Sequence, residues 1–317
     1  MKIVITGGAG FIGANLARHL EGIPEITEVI AYDDLSFGYE SNLEGSDIHL
    51  VEGSILNQEL LEETVRGAHA VVHLAARGSV PRSIAHPVAT HDVNATGTLR
   101  VLEAARHNGG THVVMASSSS VYGTTDVLPK HESLPTRPIS PYAASKLAAE
   151  SYVLAWGHAY DLPTLAFRFF NVFGPLQAPV HSYAAVVPAF LASAMRGQPL
   201  PVHGDGRQCR DFTYVDSVVA VLTDAIIRQV AHPDPVNLAF GTRVSLLEVI
   251  AELEGILGRR LDLDFQSSRP GDIPRSQAAN ETLTQLFPDI SPTDLRAGLQ
   301  ATTEWFESTR PWDPVPT

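Results

Sequence analysis

Eight residues near the start of the chain, Thr6-Gly7-Gly8-Ala9-Gly10-Phe11-Ile12-Gly13, restrict its fold more than any other segment. They follow a short β-branched run at residues 3–6. They open a pattern in which Phe11, Ile12, Leu16 and Leu20 recur at helix spacing. Gly7, Gly10 and Gly13 stand three residues apart. A tight turn out of a strand needs one glycine, close approach of backbone to a pyrophosphate a second, and packing of helix on sheet a third. The free N–H groups and positive end of the helix then face the phosphates. The segment therefore predicts a dinucleotide site at a strand–helix turn. Asp33, 20 residues past Gly13, ends the next strand. A carboxylate there holds both adenosine ribose hydroxyls and repels a 2′-phosphate, favouring NAD over NADP. An ordinary loop aspartate, or a helix cap in the Asp33-Asp34 pair, is the other reading.

The same alternation continues. Residues 3–6, 29–32, 48–52, 70–74, 112–117 and 164–168 read as strands, several of them apolar without a break. That suits parallel strands covered on both faces. Between them lie helical patterns, among them Leu99, Val101, Leu102 and Ala105, and Leu147, Tyr152 and Leu154. Strand–helix alternation predicts an α/β fold, a Rossmann-type doubly wound parallel sheet. After about residue 170 proline and glycine become frequent, with helical patterns at 184–195, 215–228, 246–257 and 293–307 and short strand candidates at 235–239 and 261–265. Residues 1–170 are expected to form the dinucleotide-binding domain. Residues 171–317 are expected to form a smaller mixed substrate lobe, with some segments returning to the first domain.

A second constellation lies in the first half. Tyr142-Ala143-Ala144-Ser145-Lys146 starts a helix after Pro141, and positions four apart share one helix face. A phenol near pKa 10 is a poor base at neutral pH, and an adjacent ammonium and a cationic nicotinamide lower it. Upstream, the strand at 112–117 runs into Ser117-Ser118-Ser119-Ser120-Val121-Tyr122-Gly123. A serine at a strand's carboxyl end overlies the cofactor crevice of such a sheet. Its hydroxyl can bond a substrate oxygen while the phenol moves the proton.

Composition excludes several other classes. The 317 residues are 44% hydrophobic and 18% charged, enough for a sizeable core, and the net charge of −13 argues against a nucleic-acid binder. No run approaches the ~20 apolar residues of a membrane span. Met1-Lys2-Ile3 has no signal-peptide layout, and the one cysteine, Cys209, precludes an internal disulfide. A cytoplasmic location is expected. Histidines are scattered without a metal-ligand spacing, so no metal site is expected.

Taken together, residues 6–13, Asp33-Asp34-Leu35, His73-Leu74-Ala75-Ala76, Asn94-Ala95-Thr96-Gly97-Thr98, 117–123, 142–146, 168–174, 204–216 and 269–276 resemble the extended short-chain dehydrogenase/reductase family, and within it the UDP-glucose 4-epimerase branch. The motifs span most of the chain and keep the family's order. The resemblance implies NAD as cofactor and a UDP-sugar as substrate. It implies that Ser118, Tyr142 and Lys146 are catalytic, with Ser119 as the neighbouring candidate for the serine. Gly7, Gly10, Phe11, Ile12, Gly13, Asp33, Asp34, Ser54, Ile55, Leu74, Ala75, Ala76 and Asn94, with Tyr142 and Lys146, would hold the cofactor. Ser79, Val80, Ser118, Ser119, Asn171, Val202, Arg210, Arg269, Asp272 and Ser276 would hold the substrate. Guanidinium forks suit a diphosphate. Family members usually pair as homodimers through two helices, here near residues 96–106 and 142–157.

The dehydratase branch carries Asp-Glu just before Val-Tyr-Gly and the decarboxylating branch a Glu, where this chain has Ser119-Ser120. Plain C4 inversion of a UDP-hexose is therefore the expected reaction. Ser276, where related epimerases carry a bulky Tyr, suggests room for N-acetylhexosamines. A UDP-glucuronate 4-epimerase, or another nucleotide-sugar dehydratase, decarboxylase or reductase, is the alternative; Leu176 after Gly174-Pro175 departs from the Arg that the glucuronate subgroup tends to carry. Ser54 departs from the Asp common at the adenine loop. A non-enzymatic NAD sensor would have no need of the Tyr142/Lys146 pair.

Overall fold

The computed structural model describes residues 1–179, 185–267 and 275–313. The first half runs β1 (Lys2–Thr6), α1 (Phe11–Glu21), β2 (Glu28–Asp33), β3 (His49–Glu52), α2 (Gln58–Val65), β4 (Ala70–His73), α3 (Val80–Ala85), α4 (Pro87–His91), α5 (Gly97–His107), β5 (His112–Ser118), α6 (Pro141–Tyr160) and β6 (Thr164–Phe169). The second runs β7 (Asn171–Phe173), α7 (Val186–Met195), β8 (Leu200–His203), β9 (Cys209–Arg210), β10 (Phe212–Tyr214), α8 (Val215–Ile227), β11 (Val236–Leu238), β12 (Val244–Ser245), α9 (Leu246–Leu257), β13 (Leu263–Gln266), α10 (Glu281–Leu286) and α11 (Leu295–Thr309).

Seven parallel strands make the main sheet in the order β11-β6-β5-β4-β1-β2-β3. The strand order reverses at β1 and β4, where the crevice for a ligand opens at their carboxyl ends. Ile3, Val4 and Ile5 of β1 are wholly buried, because helices cover both faces. Ile3 and Ile5 pack with Leu16 and Leu20 of α1, while Val4 packs with Leu61 of α2 and Val101 of α5.

β11 and α8 come from the second half yet belong to this body: β11 adds the edge strand beside β6, and Val218 and Leu222 of α8 join the core of β1 and α1. The other strands of that half form two-stranded ladders, β7 with β10, β8 with β13, and β9 with β12. At three or four residues, β7, β8 and β10 are too short to carry a periodic sequence signal, which is why the sequence leaves them unassigned. Among the described residues, no helix is long and apolar enough to cross a membrane.

Candidate active site

The crevice is built first by the turn between β1 and α1. Gly7 has φ +72°, and a Cβ on it would meet Ala75 N at 2.7 Å; a Cβ on Gly13 would meet Gly7 O at 2.1 Å. Only glycine lets the turn, the next strand's exit and the helix start close on one another. Gly10 caps α1 without any side-chain hydrogen bond, so the first N–H groups of the helix are left for an external acceptor. Gly7, Gly10, Phe11, Asp33, Asp34, Ile55, Leu74, Ala75 and Ala76 line the cleft above this turn. Asp33 Oδ2 accepts from Ala9 N (3.0 Å) and Oδ1 from Leu35 N (2.9 Å), fixing the carboxylate at the wall. Burial pushes its pKa up, and these backbone donors oppose the shift. The donor-rich turn and the fixed carboxylate fit a dinucleotide.

Several lining residues carry no sequence signal of their own. Ser36, Phe37 and Gly38 curl over the cleft just past Asp33-Asp34, and Arg77 extends the 74–76 wall. Ser54 and Asn94 stand behind it. Ser54 O accepts from Tyr32 Oη (2.8 Å). Asn94, 1% exposed, accepts from Arg77 N (2.7 Å) and donates to Ser145 Oγ (3.0 Å). Asn94 thus clips the cleft wall to α6 from a π-helical turn, Asp92–Thr96. His73 extends that brace. Thr98 Oγ1 donates to Asn94 O (2.6 Å), so it receives His73 Nε2–H (2.9 Å), and His73 Nδ1 accepts from Thr6 Oγ1 (2.7 Å). Burial, then the charge of Lys146, holds His73 down at about 3. It is a neutral strut, not a proton carrier.

Across the crevice, Ser140 caps α6 by accepting from Ala143 N (3.1 Å), which fixes the first turn that carries Tyr142. The Tyr142 phenol lies near the Ser118 side chain. Ser118 Oγ accepts from Ser120 N (3.2 Å) and Ser120 Oγ (2.9 Å), which leaves its own hydrogen available to donate. Lys146 is buried, donates to Ala116 O (2.8 Å), and burial lowers its pKa to about 8. Sequence reasoning expected the ammonium to lower the phenol. Instead burial raises Tyr142, the neighbouring Ser118 side chain alone opposes that, and the ammonium is bound to β5. The protein's own groups therefore keep the phenol protonated at neutral pH.

Glu150 follows Lys146 by one more helical step and was missed, although the same four-residue spacing points to it. It is 2% exposed and accepts from Ser117 Oγ (2.6 Å) and from Arg168 Nε (3.0 Å) and Nη2 (2.7 Å). This ion pair ties β5, α6 and β6 together directly beneath the triad.

The substrate-side residues fall into three groups. Asn171 and Arg210 flank the pairing of β7 with β10, where Asn171 N and Nδ2 both donate to Asp211 O (3.2 Å each). Ser276, 7% exposed, donates its N–H to Cys209 O (3.1 Å). Ser79 holds φ +88° and caps α3 ahead of Val80 by accepting from Arg82 N (3.3 Å). Val202 departs from expectation: it is 0% exposed in the main core, where Gly206 faces it, and has no surface to offer a ligand. Its position on β8 turns alternate side chains inward. Arg269 and Asp272 lie outside the described residues.

Residues 3–239 match the NAD dependent epimerase/dehydratase family. A UDP-glucose 4-epimerase of Mycolicibacterium smegmatis is 35% identical, over 97% of this chain and 99% of that protein. Among solved structures, the UDP-N-acetylglucosamine 4-epimerase from Methanobrevibacter ruminantium, in complex with UDP-N-acetylmuramic acid, superposes with a TM-score of 0.91 at 31% identity, covering 97% of this chain and 98% of that one. DesIV, a dTDP-glucose 4,6-dehydratase from Streptomyces venezuelae with NAD bound, superposes at 0.89 with 30% identity, covering 98% of each chain. The glycine turn, the fixed Asp33 and the Ser118–Tyr142 contact thus occur on a chain that belongs to the NAD dependent epimerase/dehydratase family, within the extended short-chain dehydrogenases/reductases, and whose cofactor is NAD.

Proposed function

We propose that this enzyme inverts C4 of a UDP-hexose, UDP-glucose or UDP-galactose, with room for UDP-N-acetylhexosamines, through a transient 4-keto sugar. One observation carries the reading: the end of β5 and the turn after it present the hydroxyls of Ser118, Ser119 and Ser120, with no carboxylate among them, and Ser118 lies near the Tyr142 phenol. Expelling water from C5 and C6 needs an additional acid and base at that place, and hydroxyls of ordinary pKa supply neither.

Tyr142 takes the proton of the sugar 4-hydroxyl, and Ser118 steadies the same oxygen. Lys146, drawn to Ala116 O, holds α6 on β5. Bound NAD would supply the acceptor and donor of the C4 hydride. The protein's part in inversion is to grip the nucleotide while the keto sugar presents its other face. Asn171, Arg210, Arg269, Asp272 and Ser276 provide that grip, and residues 171–317 form most of the substrate lobe, opposite a cofactor domain of residues 1–170. The buried, small Ser276 supports a pocket that tolerates a 2-acetamido group.

The same reading makes the protein a cytoplasmic homodimer joined through α5 and α6. Tyr152, Trp156 and Tyr160 form an aromatic ladder on α6 with centroids 6.0 and 5.3 Å apart, and Tyr160 is 51% exposed. Such a stripe supports burial against a second copy.

The decisive experiment incubates the purified protein separately with UDP-glucose, UDP-N-acetylglucosamine and UDP-glucuronate, and resolves products by chromatography with mass detection. A product of unchanged mass, lost in Tyr142→Phe, is expected. A product lighter by water or carbon dioxide would move the enzyme to a dehydratase or decarboxylase.

A further inference from the structure

The cleft over the β1–α1 turn is lined by two carboxylates, Asp33 and Asp34, and by one basic side chain among the described residues, Arg77. A diphosphate seated over the glycine turn meets both acids in the same cleft. The N–H groups and positive end of α1 offset part of that repulsion, and a full cation on the wall offsets more.

The backbone sets Arg77 at the rim of this turn. β4 and β2 flank β1 in the sheet, so the chain leaving each of them forms one lip of the cleft. On the β4 lip, a Cβ on Gly7 would meet Ala75 N at 2.7 Å. Arg77 follows two residues later and is clamped by Asn94, which accepts from Arg77 N (2.7 Å) and donates to Arg77 O (3.3 Å). On the β2 lip, Tyr39 N donates to Ala9 O (3.1 Å), and a Cβ on Gly38 would meet Ala9 C at 2.9 Å. The guanidinium of Arg77 stands 5.7 Å from the centroid of the Phe37 ring on that lip, and the guanidinium of Arg82 4.0 Å from it.

The hydrogen-bonding capacity of Arg77 is unspent. Its Nε is buried without a partner, and among the described residues no carboxylate or carbonyl takes a hydrogen bond from the guanidinium. An aromatic ring attracts the charge without replacing an oxygen acceptor, and a buried donor left unpaired is costly. A planar fork of N–H donors at the rim of a phosphate-binding turn matches phosphate oxygens.

We propose that Arg77 is a cofactor-binding cation whose guanidinium holds the pyrophosphate of NAD from the β4 lip, with Phe37 steadying the side chain from the other. The inference rests on the NAD site and is independent of which sugar reacts.

The test is calorimetric binding of adenosine, ADP, NAD and UDP to the full chain, as wild type and as R77M, R77Q and R77K. Adenosine and ADP share base and ribose and differ in the diphosphate, so their affinity ratio reads the pyrophosphate contact. A variant that merely loosened the cleft would weaken both alike. R77M should lower the ADP-to-adenosine ratio about tenfold or more and weaken NAD to a similar degree, R77K should recover much of both, and UDP binding should stay close to wild type. R77Q carries the measurement if R77M does not fold. An unchanged ratio in a folded variant, or equal losses for adenosine and ADP, overturns the inference. A loss of UDP rather than ADP affinity also overturns it, by giving Arg77 to the substrate. So does a wild type that binds adenosine as tightly as ADP, because no cation then acts on the diphosphate.

Discussion

Seven strands carry the cofactor side of the crevice, and three two-stranded ladders carry much of the other. On the first side each backbone position is held several times over. Gly7 and Gly13 admit no side chain, Asp33 accepts two backbone N–H groups, and the Thr6–His73–Thr98–Asn94 chain braces the wall behind. On the second side β9 and β12 are two residues each, and order comes from side chains bonding across segments. Asn237 is the joint between the two: Tyr122 Oη donates to its Oδ1 (2.6 Å), while its Nδ2 reaches Lys130 O and Ala279 O (2.8 and 3.1 Å). A sheet rim gives NAD a fixed seat. Short ladders leave a surface whose form rests on few residues.

The comparison is sharpened first at the triad. Tyr142→Phe should lower turnover by about 10²–10⁴-fold while leaving Tm and NAD binding close to wild type; a variant retaining a tenth of the activity would sink the assignment of the base. Next comes the sheet side. Glu150→Ala strands the buried Arg168 and should cost about 3–5 kcal/mol in denaturant unfolding; a loss under 1 kcal/mol would mean that the pair does not hold β5, α6 and β6 together.

Asn237→Ala tests the joint. It takes the Asn237 partner from Ala279 O and from the Tyr122 hydroxyl, while Lys130 O keeps Ala279 N, and about 1–3 kcal/mol of stability should go. KM for the nucleotide sugar should rise more than the Kd for NAD, and equal effects on both would erase the distinction between the two sides. Amide exchange gives a further contrast, with β7, β8 and β10 expected to exchange before β1, β4 and β5.

The smallest effect is a pH dependence. The pKa of Lys146 is about 8 in the folded protein against an ordinary 10.5, so the unfolded chain binds more protons between those values. The cost of burying the ammonium is full below pH 8 and is relieved as pH rises toward 10.5. The Tm of Lys146→Met minus that of wild type should therefore be largest below pH 8 and shrink above it. A difference that stays flat across this window would show that the ammonium is not strained by burial.

Local chemistry made the cofactor turn legible, since glycine spacing, a strand before and a helix after are all fixed within a few residues. Tyr142 and Lys146 were legible for the same reason, as one helical step. The phenol's state was not, because it depends on burial by other elements and on the Ser118 side chain of β5. The burial of Val202 was not legible, because which face of a four-residue strand points inward is set by what packs on it, here Gly206 and the core around Leu200.

By itself the sequence determined the α/β sheet, the NAD turn and the Tyr-Lys helix, because each rests on interactions between residues near in the chain. Only the tertiary structure decided that Glu150 and Arg168 pair beneath Ser117, and that Asn237 joins the two sides by holding both the Tyr122 hydroxyl and Lys130 O. These contacts cross 18, 115 and 107 residues of chain, and no local spacing encodes a meeting that exists only once the sheet has closed.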